Sequence, residues 1–353
     1  MQYVRQNIER MSGYTPGEQP RGKKFVKLNT NESPYSPSPK VVEALRNAAS
    51  SGLERYPDAS ATPFRVRAAE VLSDECPGID PDWILCGNGS DDILTIATRA
   101  FVGEGEAVRF ATPSYSLYQT LADIQGARAD VVPYESDWSL GFEFTSAGDD
   151  VKLAYLANPN SPSGTLLAPG EVAAIADALP CPLLLDEAYV DFAQTNCLGL
   201  VHTNERVMVS RTLSKSYALA GLRFGYVVAQ PQMIEQLAKV KDSYNCDSLS
   251  IAGATAAIDD QAWLRDNVAK VVTERVRLDA GLKAAGFETV VSEANFVWCT
   301  HPSGRHEEIY LRLKEAGVLV RWMRYSWRGP YDGLRITVGK PEQTDALLSL
   351  LAS

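Results

Sequence analysis

Three polar residues, Asn158, Asp186 and Lys215, each stand at the exit of a short apolar run, 28 and 29 residues apart. The runs cover 151–156, 182–185 and 207–209, and further ones lie at 83–86, 108–111, 129–132 and 224–228. Helix-like stretches separate them, so each interval is about one strand–helix–strand unit. Short apolar strands alternating with helices predict a mostly parallel sheet covered on both faces. In such sheets ligands bind outside the carboxyl ends of the strands. The spacing therefore predicts that Asn158, Asp186 and Lys215 meet at one edge of one sheet.

The rest of the chain frames that sheet. Residues 1–29 read as a polar arm, and 27–39, rich in proline and asparagine, as an irregular loop. Helices are expected over 39–50, 64–72, 92–101, 171–179 and 231–244. One or two long helices follow over 249–279, the second continuing to about 285. After Gly286 the pattern turns to short strands at 288–291, 296–299, 319–321 and 334–338, with a helix over 305–316. This predicts a larger domain over 30–245 and a smaller α+β domain over 246–353, which the arm joins.

Composition removes several classes of function. A net charge of −10 argues against nucleic acid as a partner. The six cysteines are scattered without a C-x-x-C pair, as free thiols in a reducing compartment would be. The three histidines have no metal-ligand spacing, so no metal is expected. The first eleven residues lack the apolar core of a signal peptide. No apolar run approaches the about 20 residues of a membrane span. The expectation is a soluble cytoplasmic enzyme without a membrane partner.

The candidate chemistry centres on Lys215, which ends the loop Ser210-Arg211-Thr212-Leu213-Ser214. An amine at a strand exit, flanked by hydroxyls and an arginine, suits capture of an aldehyde cofactor. Thr212, Ser214 and Arg223 would then hold that cofactor's phosphate. Taken alone, S-x-K reads as a surface lysine. The turn Gly87-Asn88-Gly89-Ser90-Asp91 opens a helix whose N–H groups and dipole favour an anion. An ordinary Ser90 N-cap, with Asp91 and Asp92 complementing the dipole, is the competing reading. Asp186 at a buried strand end needs a partner, either a protonated heterocyclic nitrogen or local N–H groups and an arginine. Tyr189 and Asn158 are placed to meet a phenolate oxygen on the same ring. Tyr115 covers the ring face or is simply a core aromatic. Together these groups describe a cradle for pyridoxal 5′-phosphate.

With these residues stand ten sequence blocks in order: TPGEQP (15–20), LNTNESPY (28–35), RYPD (55–58), GNGSDDIL (87–94), TPSYSLY (112–118), ANPNSPSG (157–164), LLDEAYVDF (184–192), RTLSKSYALAGLRFGY (211–226), VLVR (318–321) and LRITVG (334–339). On them the chain resembles the fold-type I pyridoxal-phosphate-dependent aminotransferases of the class II subgroup. Within these it is most similar to the histidinol-phosphate aminotransferase family, over nearly its whole length. The resemblance implies a large domain with a mostly parallel seven-stranded sheet and a smaller α+β domain. It implies transfer of an amino group from L-histidinol phosphate to 2-oxoglutarate in histidine biosynthesis. Lys215 would be the lysine that bonds the cofactor and shuttles the proton, Asp186 the partner of the ring nitrogen, Asn158 and Tyr189 the groups on the ring hydroxyl, and Tyr115 the stacking residue. Gly89, Ser90, Asp91, Thr212, Ser214 and Arg223 would form the phosphate cup. Tyr56 would reach the cofactor of a partner subunit, which implies a homodimer with shared sites. Arg321 and Arg335 would clamp the substrate phosphate, with Tyr14 and Asn31 on the substrate side.

Some positions depart from the family pattern. NSPSG stands where NNPTG is commoner, and Asp92 where glutamate is usual; both keep the chemical type. The stretch 321–333, RWMRYSWRGPYDG, is unusually aromatic and arginine-rich, and Arg324 and Arg328 within it read as a solvated basic turn. An aromatic amino acid aminotransferase acting on phenylalanine or tyrosine, and a decarboxylase of a phosphorylated amino acid, therefore stand as alternatives.

Overall fold

The computed structural model describes residues 3–13, 17–19, 25–50, 52–325 and 332–352. Its strands are β1 (Val26–Leu28), β2 (Ile84–Gly87), β3 (Ala107–Thr112), β4 (Arg128–Pro133), β5 (Val151–Ala157), β6 (Leu183–Asp186), β7 (Val207–Thr212), β8 (Gly225–Val228), β9 (Glu288–Thr289), β10 (Phe296–Thr300), β11 (Val318–Met323) and β12 (Gly333–Thr337).

Seven of these form the larger sheet, in the order β2-β8-β7-β6-β5-β3-β4. β8 runs antiparallel to both neighbours, and the contiguous run from β7 to β4 is parallel. The strands are apolar throughout because both faces are covered. Leu183, Leu185, Val207 and Val209 belong to one core cluster, and the alternating Leu184 and Met208 to another. Ala157, Asp186 and Ser210 are in register across β5, β6 and β7. That register brings the strand exits to one edge, as the spacing predicts.

β7 is longer than the apolar run that marks it, because Ser210, Arg211 and Thr212 belong to the strand and not to a loop. Arg211 is tolerated inside the sheet because its Nε donates to the buried Glu187 at 3.0 Å. The helix expected over 231–244 is shorter, Pro231–Ala238. Beyond it Lys241 Nζ donates to the carbonyls of Asp242 and Ser243, so the segment closes as a polar turn.

The smaller sheet has the order β1-β11-β12-β10-β9, with β1 parallel to β11 and the other pairs antiparallel. Leu278, Leu282, Leu313 and Leu347, from helices Gln261–Ala284, His306–Glu315 and Pro341–Leu351, close its core with Val320, Leu334 and Ile336. β1 lies where the sequence reads as the end of the arm and the start of an irregular loop. Three residues carry no strand pattern of their own, and pairing with β11 makes them one.

Helix Ser248–Asp259 packs on helices Pro39–Ala49 and Thr62–Leu72, and its Ile251, Ala254, Ala257 and Ile258 join the core beneath the larger sheet. Residues 246–259, read from sequence as the start of the smaller unit, thus pack with the larger one. We propose that the units divide at Asp260, where one helix ends and Gln261–Ala284 begins. The arm touches both. Asn7 Nδ2 donates to Asp123 O at 2.7 Å on helix Leu117–Gln125, and Lys314 Nζ donates to Glu18 at 2.8 Å.

Candidate active site

A cavity opens where the carboxyl ends of β5, β6 and β7 face β11 and β12, and Ser90, Asp91, Tyr115, Asp186, Tyr189, Lys215, Arg223, Arg321 and Arg335 are among its lining residues. Lys215 lines it. Its Nζ lies 5.7 Å from the centroid of the Tyr189 ring, and it has no hydrogen-bond or ion-pair partner among the described residues. The next residue, Ser216, donates to the half-buried Asp191 and so ties the turn down.

Asp186 ends β6, almost fully buried. One oxygen accepts from the Tyr118 hydroxyl at 2.8 Å and the other from the Ala188 N–H at 3.3 Å. Burial pushes this carboxyl up to about 6, against the bonds from Tyr118 and Ala188 that favour its charge. No cation makes an ion pair with it among the described residues. Asp186 is therefore a buried carboxylate whose charge is only half answered, and a protonated ring nitrogen would complete it.

Tyr118 was not singled out from the sequence, where an aromatic on a helix reads as core. It is core as well: fully buried, stacked on Tyr155 at 4.8 Å and met edge-on by Tyr115 at 5.7 Å. The signal available was its position three residues after Tyr115, with which it closes one turn, Tyr118 N donating to Tyr115 O at 3.2 Å.

Helix Ser90–Phe101 starts at Gly89, which has no side chain to cap its N-terminus. The Ser90 N-cap reading thus gives way to open N–H groups at the cavity wall, and the acidic side chains are used elsewhere. Asp92 Oδ2 accepts from Asn88 N and Asn245 Nδ2, while Asp91 accepts from Tyr115 (2.9 Å) and Arg223 (3.2 Å). Arg223 also donates to Ser214 Oγ at 3.5 Å, and Ser214 N donates to Thr212 Oγ1. The guanidinium lies against Gly89, whose φ is 83°; a Cβ there would come within 2.7 Å of Arg223 Nη2. At Gly225 a Cβ would meet the Ser90 nitrogen at 2.6 Å, so only glycine lets β8 pass under this turn. Open N–H groups, hydroxyls and an arginine make a receptor for a phosphate.

Arg321 and Arg335 occupy directly paired positions on β11 and β12. Like charges directly opposite on antiparallel strands repel unless an anion lies between them. Arg335 donates to Ser161 Oγ at 2.9 Å and to Asn29 O at 3.2 Å. Arg321 has no carboxylate partner among the described residues. Two forks converging on one cavity suit a second phosphate or a carboxylate.

Other expected residues stand differently. Asn158 follows β5, but its amide is spent away from the cavity: Nδ2 on Leu167 O (3.1 Å) and on Cys197 Sγ (3.6 Å), and Oδ1 on Leu167 N (2.8 Å). Its flanks Ala157 and Pro159 line the cavity instead. Asn31 lines the cavity with its side chain turned to Tyr189 and Thr337. Tyr56 lies outside the cavity, 81% exposed and stacked on Tyr244 at 4.6 Å. Arg324 is exposed. Tyr14 and Arg328 lie outside the described residues.

The residues fit pyridoxal phosphate: a lysine without an ion-pair partner, a buried carboxylate awaiting a cation, an aromatic wall and a phosphate receptor face one cavity. Comparison with known proteins points the same way. The model of the aminotransferase class I and II family matches residues 23–351. Over 99% of its length the chain is 53% identical to a histidinol-phosphate aminotransferase of Rhodopirellula baltica, covering 95% of that protein. It is 42% identical to histidinol-phosphate aminotransferase 1 of Trichormus variabilis, covering 99% of this chain and 98% of that one. Among solved structures, histidinol-phosphate aminotransferase from Sinorhizobium meliloti in complex with pyridoxal-5′-phosphate superposes with a TM-score of 0.88, at 27% identity over 100% of this chain and 97% of that one. A Thermus thermophilus aspartate aminotransferase double mutant, at 19% identity and a TM-score of 0.86 over 100% of this chain and 99% of that one, shares the fold.

Proposed function

The chain belongs to the class I and II aminotransferases, and on that premise we propose that it transfers the amino group of L-histidinol phosphate to 2-oxoglutarate, giving imidazole acetol phosphate and L-glutamate in histidine biosynthesis. The observation that carries the substrate is the arginine pair facing itself across β11 and β12 at the cavity wall. Such a pair is costly without an anion and strongly attractive to a phosphate.

The cofactor, pyridoxal 5′-phosphate, supplies an aldehyde that takes up the donor's amino group and a protonated ring that draws electrons from the donor's Cα. The protein's own residues do the rest. Arg223, Ser214 and the N–H groups that open helix Ser90–Phe101 bind the cofactor phosphate. Asp186 keeps the proton on the ring nitrogen. Tyr115, tied to Asp91, covers one ring face. Arg321 and Arg335 bind the donor's phosphate and so fix its Cα beside Lys215. Lys215 Nζ would take the donor's Cα proton as a base and give it back as an acid. In the second half-reaction Arg335 takes a carboxylate of 2-oxoglutarate, and Lys215 moves the proton in the opposite direction.

The exposed Tyr56 is proposed to act across a homodimer, and the protein to work in the cytoplasm. The test is a single-turnover titration of the cofactor-loaded protein without keto acid, following the visible band of the cofactor. Histidinol phosphate is expected to bleach the band at far lower concentration than phenylalanine. The reverse order would assign the site to aromatic amino acids, and release of carbon dioxide would assign it to decarboxylation.

A further inference from the structure

Asn31 is buried and holds a left-handed backbone conformation, φ 54°, which asparagine tolerates better than most residues. Its polar atoms are engaged by three separate parts of the chain. Its N–H donates to Thr337 Oγ1 (3.0 Å), and its carbonyl accepts from Asn295 Nδ2 (3.1 Å). Its Oδ1 accepts from Thr337 Oγ1 (3.0 Å), and its Nδ2 donates to the Tyr189 hydroxyl oxygen (2.9 Å).

The direction of the last bond follows from the others. Thr337 Oγ1 already accepts the Asn31 N–H, so its own hydrogen needs an acceptor, and Asn31 Oδ1 provides it. Turning the amide over would give Thr337 two donors and leave its buried O–H without an acceptor. With Nδ2 toward Tyr189, the phenol oxygen is an acceptor on that side, and its hydrogen is left to point elsewhere. Tyr189 lines the cavity beside Lys215, and its ring is held edge-on by Phe296 at 5.0 Å.

We propose that Asn31 is a positioning residue, not a substrate contact: it forces the Tyr189 hydroxyl to act as a hydrogen-bond donor into the cavity, to the ring oxygen of the cofactor. The inference rests on the cofactor reading given above. It makes the pH at which the bound cofactor loses its proton depend on a side chain whose hydrogen bonds go to Tyr189 and Thr337. Thr337 is two residues from Arg335 on β12, so it lies on the same strand face as the substrate arginine. The strand that holds the substrate's anion also orients the phenol.

The experiment is a pH titration of the visible band of the holoenzyme in Asn31→Ala, Asn31→Asp, Tyr189→Phe and the double variants. A phenol donating to the ring oxygen favours its anionic form, so loss of the donor lets the cofactor hold its proton to higher pH. Tyr189→Phe is expected to raise the midpoint by about one pH unit, and Asn31→Ala by less. Asn31→Asp is expected to raise it about as far as Tyr189→Phe although the phenol remains, because a carboxylate accepts the phenol's hydrogen. In the Tyr189→Phe background the Asn31 substitutions are expected to move the midpoint by no more than about a few tenths of a unit. Equal shifts in both backgrounds, or none with Tyr189 present, would overturn the proposal. Should Asn31→Ala not fold, Asn31→Gly keeps the left-handed backbone and carries the same comparison. A protein that takes up no cofactor and shows no visible band overturns the proposed function itself, whereas a band whose midpoint ignores Asn31 overturns only this inference.

Discussion

Replacing Asp186 by Asn should stabilise the cofactor-free protein at neutral pH while removing its use for the cofactor. Burial lifts this carboxyl from 3.8 to about 6. Between those values the folded chain holds a proton that the unfolded chain has lost. Stability therefore falls as pH rises through this window, and the loss is complete above about pH 6. At 1.36 kcal/mol per unit the loss is about 3 kcal/mol. Asparagine keeps the size and the acceptor for Tyr118 but has no charge to bury. The assay is denaturant unfolding of the cofactor-free wild type and of Asp186→Asn from about pH 4 to pH 8. Titrating groups common to both proteins cancel in the difference. The difference should be near zero at the acid end and reach about 3 kcal/mol in favour of the variant above pH 6. Adding pyridoxal phosphate should abolish that advantage, because the ring cation neutralises Asp186 only in the wild type. A difference independent of pH would refute the idea that Asp186 is an uncompensated buried charge.

Lys215→Ala should lower turnover by about 10⁴-fold in rapid-mix kinetics while the cofactor still binds without a covalent bond. Arg321→Gln should raise KM for histidinol phosphate about 10- to 100-fold in steady-state assays and leave a phenylalanine half-reaction unchanged. Tyr118→Phe removes one bond that favours the Asp186 charge, so the falling limb of the cofactor-free stability curve should extend about one pH unit higher. Sedimentation should show a dimer, and mixing Tyr56→Ala with Lys215→Ala should restore one working site per mixed dimer if Tyr56 acts across the interface.

The parts of the site carried by parallel strands were legible because burial on both faces makes each strand a continuous apolar run. Its first polar residue then marks the exit, as at Asp186. Where a strand is completed by pairing or by ion pairs, the signal fails. β1 exists through β11, and β7 runs on through Arg211 because Glu187 answers its charge. The bonds between the Asn158 amide and Leu167, nine residues on in a loop, have no sequence signal. Tyr118 was hidden because a residue that packs and also donates one hydrogen bond looks like packing alone. The sequence pattern changes near 245, but helix Ser248–Asp259 packs by its small and branched face on helices from the first 72 residues.

The pairing of β1 with β11 also orders events during synthesis. Val26 waits for Val318, and β12, on the far side of β11, ends only at Thr337. The ribosome thus delivers the wall that bears Lys215 and Asp186 long before the arginines that would hold a substrate. A nascent chain stalled in between would own a place for the cofactor and no means of choosing a donor. The last strands to emerge would turn a cofactor-holding fold into a selective enzyme.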